Sequence, residues 1–230
     1  MRQAIRFKLI GIAAATALLA GCAAQEPAPR EFSGYLGSYS NMQEIPTGDS
    51  SEKHFRYVSP KLTPDNYHAA IVTDVVFYPE PQPTAKVTQQ TLDEIEKYAT
   101  TALRREVAEK VRVVNRPGKG VVTIKVAITG VAAKEAGLAA YQYVPVAFVV
   151  TMAARGAEGT PEDAKLVVEG QIIDSASGQV LGKVVRTGTG KKLAKAAGGE
   201  RVVTLVDVKP LIDKWASDFS KNLNQFVRAR

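Results

Sequence analysis

The sequence predicts an α+β domain, a mostly antiparallel sheet with two amphipathic helices packed against it, and three observations point there. An apolar stripe at helical spacing occurs twice, once after the first β-branched run and once at the end of the chain. Between the two stripes lie several β-branched runs, the last pair joined by a turn too short for a parallel crossover. With 45% hydrophobic and 23% charged residues, the part that follows the N-terminal segment is enough for one well-packed core and short for two.

Met1 to Lys8 carries Arg2, Arg6 and Lys8, and Leu9 to Ala20 is an unbroken run of apolar and small residues. That is the pattern of a secretory signal. A membrane span needs about 20 apolar residues, whereas this run soon gives way to Gln25, Glu26, Pro27 and Pro29. Leu19-Ala20-Gly21-Cys22 resembles the lipobox of bacterial lipoproteins. The resemblance implies diacylglycerol on the Cys22 thiol, cleavage before Cys22 and acylation of the new amine, so that palmitate-like chains hold the protein on a membrane. Two or three such chains make retention stable. An aspartate after the cysteine often accompanies inner-membrane retention in such proteins; Ala23 stands there, which implies the outer membrane, facing the periplasm. Residues 1–21 are thus the expected signal, 22–30 a lipidated, proline-containing tether, and 31–230 the globular domain.

Glu31 to Pro64 has no sustained period and reads as irregular surface with one short helix around Tyr39 to Met42, held to the domain by its aromatic residues. Ala69 to Tyr78 reads as the first strand, stopped by Pro79-Glu80-Pro81-Gln82-Pro83. Thr91 with Glu94 fits a capping box, and Leu92, Ile95, Ala99, Leu103 and Val107 form the first helical stripe. Val111 to Val114 reads as a short strand, Pro117 to Gly120 as a turn, and Val121 to Val131 as an alternating strand. Ala132 to Ala140 is a small-residue connection, Val144 to Met152 an apolar strand, and Ala154 to Asp163 a polar loop. Lys165 to Ile173 and Gln179 to Thr187 flank Asp174-Ser175-Ala176-Ser177-Gly178 as an antiparallel hairpin. Gly188 to Arg201 reads as a loop, after which a helix capped by Asp207, with Pro210 in its first turn, carries Val208, Leu211, Ile212, Trp215, Phe219, Leu223 and Phe226 on one stripe.

Phe32-Ser33-Gly34-Tyr35-Leu36-Gly37-Ser38-Tyr39-Ser40, Phe55-Arg56-Tyr57-Val58-Ser59-Pro60, Gly170 to Leu181 and Trp215-Ala216, met in this order, resemble family 3313 of the domains of unknown function, a set of proteobacterial lipoproteins. The likeness covers nearly the whole chain after the lipobox. The family pattern commonly has an aspartate where this chain has Ser38. The resemblance implies address and fold and supplies no catalytic residues.

The residues offer little chemistry. Lys and Arg total 30 against 23 Asp and Glu, and removing Arg2, Arg6 and Lys8 leaves 27 against 23, a net +4 with no dense basic patch. Nucleic acid is not an expected partner. Cys22 is the sole cysteine, so an internal disulfide and a cysteine zinc site are both excluded; no metal or cofactor is expected. His54 and His68 stand without companion catalytic motifs. Ser50-Ser51-Glu52-Lys53 matches the S-x-x-K pattern but sits in a polar stretch, and Thr187 to Lys192 lacks the first glycine of a phosphate loop. Asp207, Asp213 and Asp218 read as a helix cap and a solvated face. What stands out is a surplus of tyrosines outside the helices, and Tyr35, Tyr39, Tyr57 and Tyr67 mark the expected contact surface for an envelope protein or peptidoglycan. The leading expectation is a non-catalytic binding module on a lipid anchor; an envelope hydrolase with an unfamiliar site and a homo-oligomeric tether are the alternatives.

Overall fold

The computed structural model describes residues 32–48, 52–83, 87–130, 163–192 and 203–228. The expected signal, Cys22, the tether and the apolar run Val144 to Met152 lie outside the described residues. Within them, the elements in chain order are β1 (Gln43–Glu44), β2 (Lys53–Val58), β3 (Ala69–Val72), β4 (Val76–Phe77), α1 (Gln89–Lys110), β5 (Val121–Gly130), β6 (Asp163–Asp174), β7 (Val180–Lys192) and α2 (Leu205–Leu223). They make one mixed, mostly antiparallel sheet in the order β1-β2-β7-β6-β5-β3, with β4 also on β5, and the α+β class read from the sequence holds.

The hairpin β6–β7 forms where the turn chemistry placed it, with Asp174 Oδ1 accepting the backbone N–H groups of Ala176 and Ser177 and Gly178 at φ 76°. Tyr39 to Met42, read as a short helix, is a turn leading into β1. Four strand readings also differ from the sequence expectation, each because a tertiary partner overrides local pattern. The segment read as irregular contains β2, which pairs antiparallel with β7 along its whole length; its alternation of Lys, His and Arg with aromatic residues conceals a strand. The run Ala69 to Tyr78 is broken into β3 and β4, both parallel to β5, and between them the Val75 N–H leaves the ladder to donate to Thr100 Oγ1 on α1 at 2.9 Å. Val111 to Val114 forms isolated bridges rather than a strand, among them the parallel one of Val113 with Ala70. The stretch read as a loop from Gly188 instead continues β7 to Lys192, because β6 extends opposite it and pairs Leu166 with Gly188 and Asp163 with Lys192.

Both helices begin one turn earlier than read. Thr88, not Thr91, caps α1, its Oγ1 accepting the Thr91 N–H at 3.1 Å. Thr204 caps α2, its backbone N–H and hydroxyl both donating to Asp207 Oδ2 at 2.8 Å, so Asp207 serves as the third residue of a capping box. Pro210 consequently sits in the second turn.

α2 packs on α1 and on β7 and β6. The helix-facing side of the sheet and the two helical stripes form the main core, with Leu92, Ile95, Val107, Ile124, Leu166 and Val208 almost fully buried. Each such side chain contributes about 1.5–3 kcal/mol. Leu36, Ala127 and Val185 are also buried but lie apart from that cluster, on the opposite side of the sheet, where the N-terminal segment covers it.

Candidate binding groove between the sheet and the C-terminal helix

Alternation divides the sheet residues between two faces. Phe55, Val185, Glu169 and Ala127 lie side by side across β2, β7, β6 and β5 on the face away from the helices. A glutamate at 0% exposure in such a row demands partners. Glu169 accepts from the Ser33 N–H at 2.8 Å and Thr129 Oγ1 at 3.3 Å through Oε1, and from the Tyr39 hydroxyl at 2.5 Å through Oε2. The Tyr39 oxygen in turn accepts the Gly34 N–H at 2.8 Å and the Leu36 N–H at 3.3 Å. Gly34 and Gly37 stand at φ 92° and 73°, a region that L side chains avoid, and so allow the segment to coil around that hydroxyl. Phe32 stacks on Tyr39 at 4.6 Å between ring centres and meets Phe55 edge-on at 5.3 Å. Burial, followed by the hydrogen bond to Glu169, holds the Tyr39 phenol well above its ordinary range. The aromatic-and-glycine motif at the start of the domain is therefore a clasp on a buried carboxyl group, and its parts are engaged inside the molecule.

The expected tyrosine surface divides accordingly. Tyr35 and Tyr39 come together in the clasp, Tyr35 leaning on the exposed ring of Tyr78 at 5.4 Å. Tyr57 stands on the same sheet face opposite Lys183, whose Nζ donates to the Ser38 carbonyl at 2.6 Å. Tyr67 corrects the reading: it is buried, 7% exposed, and its hydroxyl donates to Asp174 Oδ2 at 2.8 Å, so it belongs to no outer surface. Burial and that hydrogen bond push its phenol up to about 12.

The other face carries an opening. Rows of residues run from β2 across β7 and β6 to β5: His54, Arg186, Val168 and Ile128 in one, Arg56, Val184, Gly170 and Val126 in the next, Val58, Gly182, Ile172 and Ile124 in the third. α2 lies over them with Trp215 nearest the first row, Phe219 and Leu223 further along the helix, and Phe226 just beyond its C-terminal end. Gly170 and Gly182 leave the middle of the floor without side chains, and Val126, Val168, Ile172, Val184, Phe219 and Phe226 are only partly covered. The result is an open apolar groove containing a cavity of about 140 Å³. A void of this size and lining holds hydrocarbon in preference to water.

One end of the groove is polar. Arg186 lies 5.9 Å from the Trp215 ring centre and is fixed by Asp218 at 3.2 Å, while Lys214 reaches Asp218 at 3.4 Å and Glu52 at 3.3 Å. Arg56 has no ion-pair partner among the described residues. Burial, with Arg186 and Arg56 next, pushes the His54 imidazole down to about 4, which makes it a neutral group in a positive environment. Trp215 is 6% exposed and its indole N–H is buried without an acceptor among the described residues. An orphaned buried donor is costly and uncommon.

From the sequence Trp215 and Phe219 read as core, His54 as a loop residue and Asp218 as solvated. Glu169 carries one sequence signal, an isolated acid between apolar neighbours in Leu166-Val167-Val168-Glu169-Gly170. Ser50 lies outside the described residues and Lys53 stands on a strand, away from the helical turn that S-x-x-K chemistry requires. Among the described residues no three His, Cys, Asp or Glu side chains group as metal ligands, and no helix is long and apolar enough to cross a membrane.

Residues 31–219 match the model of a family described as protein of unknown function (DUF3313). The chain is 32% identical over 200 residues to the uncharacterized lipoprotein YdcL of Escherichia coli K12, covering 87% of this chain and 88% of that one. Among solved structures it is similar to the PelC dodecamer from Paraburkholderia phytofirmans (TM-score 0.35, 14% identity, 78% of this chain and 99% of that chain). It is also similar to protein XCC0632 from Xanthomonas campestris (TM-score 0.34, 11% identity, 74% and 89%).

Proposed function

The chain belongs to the DUF3313 family of proteins of unknown function, and from that premise we propose that it is an envelope lipoprotein, lipidated at Cys22 and held on the outer membrane facing the periplasm, whose domain is a non-catalytic binding module. The observation that carries the binding reading is the groove under α2. An apolar trough with a few convergent polar groups at one end is the general form of a ligand site. The lipobox-like Leu19-Ala20-Gly21-Cys22 and the relative described as a lipoprotein support the anchor. The tyrosine clasp is a weaker seat for a partner, since its hydroxyl and backbone groups are already hydrogen-bonded within the molecule.

The test is photo-cross-linking in cells from a reactive side chain at Phe226, at the groove, compared with one at Lys97, exposed on α1. A defined envelope component captured from position 226 and not from position 97, and diminished when Cys22→Ser removes the anchor, is the expected result. Identical adducts from both positions would remove the groove from consideration. A purified chain that turns over an envelope substrate, and stops when one polar residue is changed, would replace the binding reading with an enzymatic one.

A further inference from the structure

The groove is not uniform along its length, and its polarity identifies a class of ligand. Three donors or cations lie toward the end nearest Trp215: the indole N–H without an acceptor among the described residues, the Arg186 guanidinium over the ring, and, one row further along β2, Arg56 without a counter-ion among the described residues. The neutral His54 imidazole lies beside Arg186 in the same row. At the other end the floor is Gly182 and Ile172 and the roof is Leu223 and Phe226, with no charged side chain of those rows facing it. An oxyanion suits the first end: it would accept from Trp215 and offset the uncompensated charge of Arg56, while Arg186 stays paired with Asp218. A hydrocarbon chain suits the second. The cavity of about 140 Å³ takes in part of one chain and leaves no room for a second beside it, the remainder lying along the open groove.

We infer that the groove binds a single-chain anionic amphiphile, an alkyl carboxylate, with the carboxylate at Trp215 and Arg56 and the chain running over Gly182 and Ile172 beneath Phe226. This rests on the reading of the domain as a binding module and specifies what it binds. The ligand is a free single-chain acid and not a lipid still packed in a bilayer, because the groove has room for the chain only once it has left its neighbours.

Trp215 is the sole tryptophan of the chain, so its fluorescence reports on the site without labelling. The chain from residue 22 onward, carrying Cys22→Ser so that no lipid is attached, contains every described residue and is titrated with dodecanoate below its micelle concentration. A saturable change in Trp215 emission, with calorimetry giving one dodecanoate per chain, is expected. Dodecyltrimethylammonium, with the same chain and the opposite charge, should bind at least about tenfold more weakly. Arg56→Gln should weaken dodecanoate about tenfold and leave the neutral dodecanol unchanged, since one charge-assisted contact is lost. Gly182→Leu, whose Cβ meets Ile172 only at an ordinary 3.6 Å and whose remaining atoms enter the cavity, should abolish binding of all three. Arg56 is half-exposed, so its variant carries the test if Gly182→Leu disturbs the fold. Equal affinity for the three amphiphiles, or an emission change that never saturates, overturns the inference. Dodecanoate bound only when offered in phospholipid vesicles points to a bilayer surface and overturns it as well. If dodecanoate fails while a cross-linker at Phe226 still captures one defined envelope component, the ligand class is wrong and the binding reading stands; if both fail, the groove is not a site.

Discussion

The buried carboxyl group of Glu169 fixes the start of the domain through one phenol, and the cost of breaking that link is calculable. Tyr39→Phe removes the donor to Oε2 and the acceptor of the Gly34 and Leu36 N–H groups while keeping the ring stacked on Phe32. Leaving such groups unsatisfied costs about 1–3 kcal/mol, so we expect a lower denaturant midpoint and faster amide exchange at Ser33 to Leu36, with exchange at β6 unchanged. His54 provides a second residue-scale test. Its imidazole titrates near 4 in the folded chain against 6.5 ordinarily, so the unfolded state takes up the proton first as pH falls. The stability contributed by keeping His54 neutral is full above pH 6.5 and is lost between 6.5 and about 4, where Arg186, Arg56 and Lys214 oppose the new charge and Asp218 partly offsets it. His54→Gln should therefore flatten the fall in Tm across that window, measured by thermal unfolding at half-unit steps; a parallel curve would mean that His54 does not titrate there. Neither Glu169 nor His54 was legible as a site residue, since burial and neighbours from other strands give each its role, and a single sequence does not display a cross-strand row.

At the scale of the element, what the chain displayed was periodicity and turn chemistry. The stripes of α1 and α2 and the Asp174 to Gly178 turn needed no tertiary information, because spacing and local hydrogen bonding decide them. β2, the break between β3 and β4, and the end of β7 needed it, because each depends on a partner strand or helix distant in sequence. Gly188 is the sharpest instance: within a stretch that reads as a loop, it is a strand residue whose missing side chain lets α2 approach. A Cβ there would lie 2.7 Å from Trp215 Cζ2 and 3.1 Å from Leu211 Cδ1. Gly188→Ala must push helix from sheet, at about 1–3 kcal/mol, and should lower the urea midpoint and alter Trp215 emission together. Gly182→Ala, meeting nothing nearer than 3.6 Å, is the control and should leave the midpoint nearly unchanged. The cap of α2 is a separate quantity: Asp207→Ala removes the acceptor of two Thr204 donors and should cost about 0.5–2 kcal/mol, additive with Gly188→Ala only if the two ends of the helix respond independently.

For the whole molecule, the central question is how anchor and domain divide the work. The described structure begins at Phe32, ten residues after Cys22, and ten extended residues span at most about 35 Å. A lipid on Cys22 would thus keep the domain close to the membrane surface, and among the described residues the N-terminal segment is held to the domain from Phe32 and Ser33 onward. We expect anchor and fold to be separable. Cys22→Ser should move the protein from the membrane fraction to the soluble fraction while the Tm of the purified chain stays within measurement error. If Tm fell as well, residues before Phe32 would have to pack on the domain. If the variant stayed with the membrane, something other than lipid would hold it, and the partly covered apolar side chains along the groove, Val126, Val168, Phe219 and Phe226, would be the first surface to change. A Phe226→Ser, Cys22→Ser double variant decides between these: release only in the double variant assigns membrane retention to the groove, and release in the single variant assigns it to the lipid.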